Sequence, residues 1–236
     1  MGSIRDDRGY NQGFKLVKST EVRMSRRADW ILSEMSREEN INVLEIGCGT
    51  GEIAHWIAER SRAQVLGTDL CVPFIDDAKQ KYQLPNLQYA VLDFHHADAF
   101  GGEQFDYIVG NGILHHLYNH LDEALARMFA LLKKGGKIIF IEPNLYNLYV
   151  YFIFSYPRLR KLAKLEPDEM AFSKSFILKK LHKAGYGDVR ASHKDFLIPG
   201  VPDFLIQPSI VIGDVLEQIP LLKSTSQSLF ICAEKK

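Results

Sequence analysis

The segment VLEIGCGTGE, residues 43–52, places three glycines within five positions directly after an apolar run. Between a strand and a helix, such glycines let backbone N–H groups approach a ligand without obstruction by a Cβ atom. The chain lacks the GxxxxGK[ST] pattern of a Walker A loop. A dinucleotide-binding loop needs a small residue at position 52, where this chain has Glu52. Glu45, two residues before the first glycine, instead suits a ligand that carries a cationic amino group.

Further polar side chains stand where later apolar segments end. Asp69 ends LGTD and Asp93 ends AVLD, so both are placed at the ends of strand candidates. Three histidines, His115, His116 and His120, follow the next strand candidate, and the last two have the i,i+4 spacing of a metal-binding pair. Histidine in this position is also suited to general-base catalysis.

An alternation of strands and helices positions these residues. The apolar patterns predict strands over 41–47, 63–69, 87–93, 105–111 and 137–143, and helices over 50–61, 73–83 and 121–134. Because strands that are apolar on both faces alternate with helices, we expect a parallel sheet covered by helices on both faces. The helix over 121–134 is predicted to end at a C-cap formed by Gly135-Gly136.

Three stretches depart from this alternation within a predicted single domain, 1–236. Residues 1–40 are predicted to form an arm with a helix over 24–36. Residues 144–172 and 198–225 are predicted to be insertions. A helix over 173–186 and strands over 188–198 and 226–235 complete the predicted pattern.

The glycine segment 45–51, EIGCGTG, resembles the first motif of class I S-adenosylmethionine-dependent methyltransferases. LGTDL, AVLDF, FDYIVGNGILHHL and LLKKGGKIIFIEPN are similar to the later motifs of that family, in the same order. The resemblance covers about residues 40–143 and is nearest to small-molecule methyltransferases of the ubiquinone and menaquinone type. It implies a Rossmann-like α/β fold with a seven-stranded, mostly parallel sheet, helices on both faces and an antiparallel last strand. The cofactor would lie across the carboxyl ends of the first strands.

The resemblance also implies a set of cofactor-binding residues. Asp69 would hold both ribose hydroxyls, Leu70 would lie against the adenine face, and Asp93 would accept a hydrogen bond from the adenine amino group. The alternatives are a helix N-cap for Asp69, a local turn for Asp93, and simple packing rather than adenine stacking for Phe94. The predicted residues for S-adenosylmethionine and its product S-adenosylhomocysteine are Glu45, Gly47, Cys48, Gly49, Gly51, Asp69, Leu70, Asp93, Phe94 and Asn111.

In the same family topology, His115 and His116 would border the methyl group. Either residue could act as general base for a hydroxyl or an activated carbon. The competing interpretation is a polar wall or a core histidine whose hydrogen bonds are satisfied. Because related methyltransferases often have an LHHL segment without a metal ion, we predict no metal site.

Two aromatic regions are candidates for covering the acceptor. Tyr10 and Phe14 are predicted to belong to a lid that closes over cofactor and substrate, the alternative being an exposed terminus. Tyr149 belongs to LYNLYVYFIFSYP (145–157), which is predicted to line a pocket for an apolar or aromatic acceptor. Since the basic segment PRLRKLAK follows, a peripheral membrane contact is a second interpretation, and core or dimer packing is a third.

Composition limits the classes of partner. Lys+Arg and Asp+Glu both number 29, which gives a formal net charge of zero and no global attraction to nucleic acid. The three cysteines, Cys48, Cys71 and Cys232, are scattered without metal-binding spacing, which favours a reducing cytoplasm. We therefore predict a cytoplasmic monomer or homodimer that acts on a small molecule.

These observations lead to one principal hypothesis and two alternatives. The principal hypothesis is an enzyme that transfers the methyl group of S-adenosylmethionine to a small, apolar, aromatic or lipid-like acceptor by in-line displacement. The first alternative is a protein of this fold that binds S-adenosylmethionine without methylating, either as a scaffold or as another kind of enzyme. The second alternative is a protein methyltransferase.

Overall fold

A computed structural model of the chain describes residues 17–94, 105–163, 165 and 169–236. Its strands are Asn42–Ile46 (β1), Gln64–Asp69 (β2), Leu87–Val91 (β3), Phe105–Asn111 (β4), Leu132–Pro143 (β5), Gly187–Lys194 (β6) and Ser228–Glu234 (β7). Its helices are Lys18–Glu34 (α1), Glu52–Arg60 (α2), Val72–Lys81 (α3), Leu121–Leu131 (α4), Leu148–Ser155 (α5), Pro157–Leu162 (α6), Lys174–Lys183 (α7), Asp203–Leu216 (α8) and Pro220–Lys223 (α9). A 3₁₀ helix, Leu114–His120, precedes α4.

The strands form one seven-stranded sheet in the order β3-β2-β1-β4-β5-β7-β6. All neighbouring strands pair in parallel except β7, which is antiparallel to both β5 and β6. From β1 the chain winds outward to β2 and β3, and it then crosses to β4 on the other side of β1. The carboxyl ends of β1 and β4 therefore flank the switch point where open α/β sheets bind ligands.

Apolar side chains from both faces of the sheet form two separate cores. Leu44 of β1 packs in a core that includes residues of α4 and α7, whereas its neighbour Val43 packs in a core that includes residues of α1, α2 and α3. Successive residues of a strand point to opposite faces, so a strand buried on both sides is apolar throughout. The sheet with helices on both faces agrees with the predicted fold class.

The glycine pair after α4 is the clearest departure from the predicted elements. The helix ends at Leu131, and Leu132 is already extended (ψ 142°) and paired with Phe105 at the start of β5. The amide of Gly135 donates to the carbonyl of Lys235 at 2.7 Å, and Gly135 has φ +77°. The prediction of a Gly135-Gly136 helix C-cap is therefore wrong, because strand pairing ends the helix before the glycines are reached.

Part of the predicted N-terminal arm belongs to the core. Helix α1 begins at Lys18, six residues earlier than predicted, and buries Ala28 and Ile31 completely. The guanidinium of Arg60 in α2 reaches Asp29 of α1 at 2.6 Å. Residues 18–34 are thus fixed against the sheet, while the lid candidates Tyr10 and Phe14 lie outside the described residues.

The two predicted insertions contain the short helices α5 and α6, and α8 and α9, respectively. Asn144 joins them, because its side-chain amide donates to the carbonyls of Ser224 and Ser226 at 2.8 Å each. Both insertions therefore lie at the end of the sheet where β5 ends and β7 begins. Among the described residues, no helix combines the length and apolarity needed to cross a bilayer.

Candidate functional site

The glycine loop joins the end of β1 to the start of α2. Gly47, Gly49 and Gly51 all have positive φ, at +65°, +53° and +86°. The loop is held in place by backbone hydrogen bonds, because the amide of Cys48 donates to the Thr68 carbonyl at 2.9 Å. Since L side chains rarely adopt positive φ, this path of the chain explains why glycine stands at all three positions.

The three glycines differ in what surrounds them. A Cβ on Gly47 would lie 2.6 Å from the Ile113 side chain, and one on Gly51 would lie 2.6 Å from the Tyr89 hydroxyl. A Cβ on Gly49 would meet no heavy atom of the described residues within 4 Å. Gly49 is therefore the position of the loop that opens onto space for a ligand, while the other two are packed.

Asp69 anchors this loop to the end of β2. One carboxylate oxygen accepts a hydrogen bond from the amide of Gly49 at 2.9 Å, and the other accepts from the amide of Cys71 at 2.8 Å. The N-cap residue of α3 is Cys71, so Asp69 is not the N-cap residue of that helix. A carboxylate offers about four acceptor sites. Leu70, half-buried, follows directly.

Glu45 is the penultimate residue of β1 and lies two residues before the first glycine of the loop. The residue is 2% exposed, and its Oε2 atom has no hydrogen-bond partner in the described part of the chain. Burial raises the pKa of Glu45 well above its usual range, although a hydrogen bond from the Ala54 amide opposes the shift. A buried carboxylate normally has a cation or a full set of donors. Glu45 thus lacks a partner that a ligand ammonium would supply.

Three other predicted cofactor residues are placed near this loop or near the end of β3. Cys48 is buried, and burial raises the pKa of its thiol well above the usual range, so it fills space rather than reacts. Phe94 is buried in the core that contains Leu114, and its carbonyl accepts a hydrogen bond from Arg127 at 2.9 Å. Asp93 is half-buried beside it. Phe94 thus packs in this core, and its stacking on adenine stays a prediction.

Asn111, at the end of β4, belongs to a buried polar network that the sequence did not reveal. Its side-chain oxygen accepts from Arg27 of α1 at 2.5 Å, and Arg27 also donates to Asp195 and to the Ser228 hydroxyl, at 2.7 Å each. Burial, followed by the neighbouring Arg23, lowers the pKa of Arg27 to about 10. The network ties α1 and the strand ends together at the ligand end of the sheet.

His115 is oriented by a second residue that the sequence did not single out. Its Nδ1 atom lies 2.9 Å from Glu142 at the end of β5. The Glu142 carboxylate is almost fully buried and also accepts from the backbone amides of Ile113, Leu114 and His115. This contact fixes the imidazole through Nδ1 and leaves Nε2 for another partner, which is the arrangement of a general base.

His116 and Glu169 complete a cluster beside His115. The His116 Nδ1 atom lies 3.1 Å from the Glu169 carboxylate, and the two histidine rings are 4.2 Å apart. One ligand atom each from His115, His116 and Glu169 lies within 4.8 Å of the others, so these residues could hold a metal ion. His116 contacts Glu169, and His115 contacts Glu142, which is outside this group of three. The absence of a metal ion stays a prediction.

The insertion that contains α5 contacts the histidines through Phe154, whereas the sequence analysis singled out Tyr149. Tyr149 is 68% exposed on α5. Phe154, on the buried side of the same helix, places its ring 5.9 Å from the His115 ring in an edge-on contact. The amide of Met170 donates to the His115 carbonyl at 3.2 Å. Helix α5 thus turns Phe154 inward and Tyr149 outward, and the role of Tyr149 at the acceptor site stays a prediction.

Comparisons with known proteins agree with this geometry. Residues 44–138 match a family of methyltransferase domains. A demethylmenaquinone methyltransferase of Oceanobacillus iheyensis is 28% identical over 157 residues, which are 60% of this chain and 65% of that protein. An S-adenosyl-L-methionine-dependent Diels-Alderase of Talaromyces variabilis is 27% identical over 124 residues, which are 50% of this chain and 42% of that protein.

A solved structure shows the same fold along nearly the whole chain. Magnesium protoporphyrin IX methyltransferase of Synechocystis PCC 6803, solved with S-adenosylhomocysteine bound, superposes with a TM-score of 0.61 at 14% identity. The superposition covers 96% of this chain and 92% of that one. The chain spans about half the length of the curated relatives it matches, from 47% to 65% for three of them.

Proposed function

We propose that the protein transfers a methyl group from S-adenosylmethionine to a small apolar acceptor. The premise is that residues 44–138 are a methyltransferase domain of the class I S-adenosylmethionine-dependent family. The observation that carries the proposal is the pairing of an open glycine position with a buried carboxylate that has one oxygen, Glu45 Oε2, without a hydrogen-bond partner in the described part of the chain. Gly49 opens onto ligand space at the end of β1, and Glu45 lies beneath the same loop. A nucleoside that carries an amino-acid group fits both features, because its ammonium group would pair with Glu45 and its body would occupy the space at Gly49.

The residues present fit the cofactor of the family. Glu45 would hold the ammonium group, Gly49 would lie against the ligand, and Asp69 would accept hydrogen bonds from the ribose. When bound, the cofactor supplies a methyl group already activated on a positive sulfur, so little covalent chemistry falls to the protein. The chain's own tasks are to align the acceptor with the methyl group, to exclude water and to remove a proton where the acceptor carries one.

Glu45 makes a prediction about pH. Because its pKa is raised in the folded state, its contribution to stability is present below its unfolded value of 4.5 and is lost as pH rises through the folded pKa. Without cofactor, Glu45→Gln should therefore unfold at a higher temperature than wild type at mildly alkaline pH. The same variant should bind S-adenosylhomocysteine about ten-fold more weakly, because it loses a charge-assisted contact.

The two measurements are a thermal melt and a calorimetric titration at several pH values. A purely structural Glu45 would change the melting curve and leave the affinity unaltered, and this result would remove Glu45 from the cofactor site. An unchanged pH dependence of the melt would show that Glu45 is ionised in the free protein.

Asp69 makes a second prediction. Asp69→Ala removes the proposed ribose acceptor and also the contact that holds the Gly49 amide, so the affinity for S-adenosylhomocysteine should fall at least ten-fold. Asp77→Ala, on α3, is a matched control, because Asp77 is exposed and has no assigned role. Equal affinity of wild type and Asp69→Ala would contradict the assignment.

The acceptor is proposed to bind between the cofactor and the insertion that contains α5. His115 and Phe154 support this placement, because they bring a polar group and an aromatic ring together at the end of β4. His115 is the proposed general base, with Glu142 as the residue that positions it. An acceptor with a hydroxyl or an acidic carbon, on an aromatic or lipid-like body, fits both residues.

One observation favours a second candidate function. The likeness to an S-adenosyl-L-methionine-dependent Diels-Alderase joins this chain to a protein whose name does not describe methyl transfer. Incubation with methyl-labelled S-adenosylmethionine and a panel of phenols, quinols and fatty acyl compounds separates the two. Label on an acceptor supports methyl transfer, whereas tight cofactor binding with no labelled product in the whole panel favours the alternative.

The proposed location is the cytoplasm, and the proposed assembly is a monomer or homodimer. All three cysteines are free and buried, which suits a reducing compartment. The proposed partner is a small molecule rather than a nucleic acid, since the chain has no net charge.

A further inference from the structure

The side-chain amide of Asn111 has a fixed orientation at the end of β4. The Nη1 atom of Arg27 donates to its Oδ1 atom at 2.5 Å. A guanidinium only donates hydrogen bonds, so the atom of Asn111 that faces it must be the oxygen. The NH2 group therefore points to the other side, and it donates no hydrogen bond within the described part of the chain. Asn111 thus offers a donor whose direction is set by Arg27.

Arg27 is itself held by contacts on its other side. Its Nε and Nη2 atoms donate to one carboxylate oxygen of Asp195, at 3.1 and 2.7 Å, and Nη2 also donates to the Ser228 hydroxyl at 2.7 Å. The amide of Asp195 donates in turn to Glu217 at 2.7 Å. Arg27 is 8% exposed. These contacts leave the guanidinium little freedom to turn, and they keep the Asn111 amide in one orientation.

The donor of Asn111 lies on the same face of the sheet as Glu45. Glu45 pairs with Val109 of β4, and Asn111 is two residues beyond Val109. Because side chains alternate along a strand, both residues are on the face of Val109, which packs in the core that includes α1. Strand spacings of about 3.3 Å per residue and about 4.8 Å between neighbours place the two Cα atoms about 8 Å apart. Ile113, just beyond Asn111, borders Gly47, so the end of β4 adjoins the glycine loop.

Glu45 and Asn111 need opposite hydrogen-bond partners. In the described part of the chain, the Oε2 atom of Glu45 lacks a donor and the Nδ2 atom of Asn111 lacks an acceptor. An α-amino acid carries an ammonium group and a carboxylate on one carbon atom. One such group, bound between the two side chains, would therefore supply both partners.

The guanidinium behind Asn111 favours a carboxylate over a neutral acceptor. A cation bound to the amide oxygen polarises the amide, which strengthens its N–H groups as donors. The two acids whose charge acts on Arg27 are Asp195 and Glu142. Asp195 is engaged by Arg27 and Arg23, and Glu142 is engaged by His115 and three backbone amides. Neither carboxylate accepts the hydrogen bond that Asn111 offers.

We propose that Arg27 is a positioning residue that turns the Asn111 amide toward the carboxylate of the cofactor's amino-acid group. Asn111 is then the residue that makes the site selective for a nucleoside with a carboxylate, and Arg27 acts through it without touching the ligand. This inference rests on the proposed function, because it places the cofactor at the glycine loop.

The test compares two ligands that differ only in the carboxylate. S-adenosylmethionine and decarboxylated S-adenosylmethionine are each titrated into the full chain by calorimetry. Wild type should bind S-adenosylmethionine about ten-fold more tightly or better, because a hydrogen bond to a charged group is lost with the other ligand. Asn111→Asp replaces the donor with a second carboxylate, so the preference should disappear or reverse.

Two arginine variants separate positioning from general support of the fold. Arg27→Lys keeps a cation in the network but loses the planar fork that reaches both Asp195 and Asn111, so the preference should fall about three-fold or more. A purely structural Arg27 would weaken the binding of both ligands equally and leave the preference unchanged. Arg26→Lys, on the same helix, is the matched control, because Arg26 is exposed and contacts Asp214. Its preference should equal that of wild type.

Other results would overturn the inference. Equal affinity of wild type for the two ligands excludes a carboxylate contact at Asn111, while the binding of S-adenosylmethionine itself still supports the proposed cofactor site. A wild-type preference in Asn111→Asp also overturns it, and this variant gives the answer if Arg27→Lys does not fold. Failure of wild type to bind either ligand would instead contradict the proposed function.

Discussion

Gly49→Ala is expected to weaken the binding of S-adenosylhomocysteine about 100-fold while the protein remains folded. Alanine at φ +53° costs about 1–2 kcal/mol in backbone conformation. Its methyl group meets no described atom within 4 Å in the free protein, so it does not disturb the packing. In the complex the same methyl group would occupy the space proposed for the ligand, where overpacking costs about 1–3 kcal/mol. The affinity is measured by calorimetry and the stability by denaturant unfolding.

Gly51→Ala is the matched control on the same loop. Its Cβ would lie 2.6 Å from the Tyr89 hydroxyl and 2.8 Å from the Ala78 side chain, at φ +86°. We expect the free energy of unfolding to fall by about 3 kcal/mol or more. Gly49→Ala should thus mainly lower the affinity for S-adenosylhomocysteine, whereas Gly51→Ala should mainly lower the free energy of unfolding. If Gly49→Ala binds as wild type does, the ligand does not pass over Gly49 and the site must be placed elsewhere.

His115→Asn is expected to lower kcat about 100-fold or more, which is the usual contribution of a positioned general base. Asparagine keeps a donor near the place of Nδ1 for Glu142 but removes Nε2, the atom proposed to take the proton. Cofactor affinity should be unchanged, because His115 has no proposed contact with the methionyl or ribose groups. Turnover is measured with methyl-labelled S-adenosylmethionine and the acceptor identified from the panel.

Two further variants show whether the effect belongs to His115. His120→Asn changes an exposed histidine of the same 3₁₀ helix and should retain wild-type kcat. Glu142→Gln should alter the pH profile of kcat, since it changes the partner that orients the imidazole. Loss of activity in His116→Asn, with normal activity in His115→Asn, would move the base to His116. Full activity in both would leave the enzyme without a histidine base.

The sheet and the glycine loop were predictable because local sequence determines them. Strand β1 is apolar on both faces and is followed by glycines, so its burial and the turn after it are visible within ten residues. The same holds for Asp69, which follows β2 directly. Parallel strands then bring these ends to one edge without further information.

The supporting partners of the site were not predictable in this way. Arg27 meets Asn111, Asp195 and Ser228, which are separated from it by 84 to 201 residues. Glu142 meets His115 from the end of another strand, 27 residues away. A contact between two polar residues that are far apart in the sequence leaves no pattern in the residues next to either of them, so it could not be predicted. The Gly135-Gly136 prediction failed for a related reason, because pairing between Leu132 and Phe105 overrides a helix C-cap signal.

The most direct test of the account is a calorimetric titration of the wild-type protein with S-adenosylhomocysteine, with NADH titrated in parallel. The account predicts saturable binding of S-adenosylhomocysteine at one site per chain and no heat from NADH, since Glu52 occupies the position where a dinucleotide loop needs a small residue. Saturable binding of NADH, with no binding of S-adenosylhomocysteine, would contradict it.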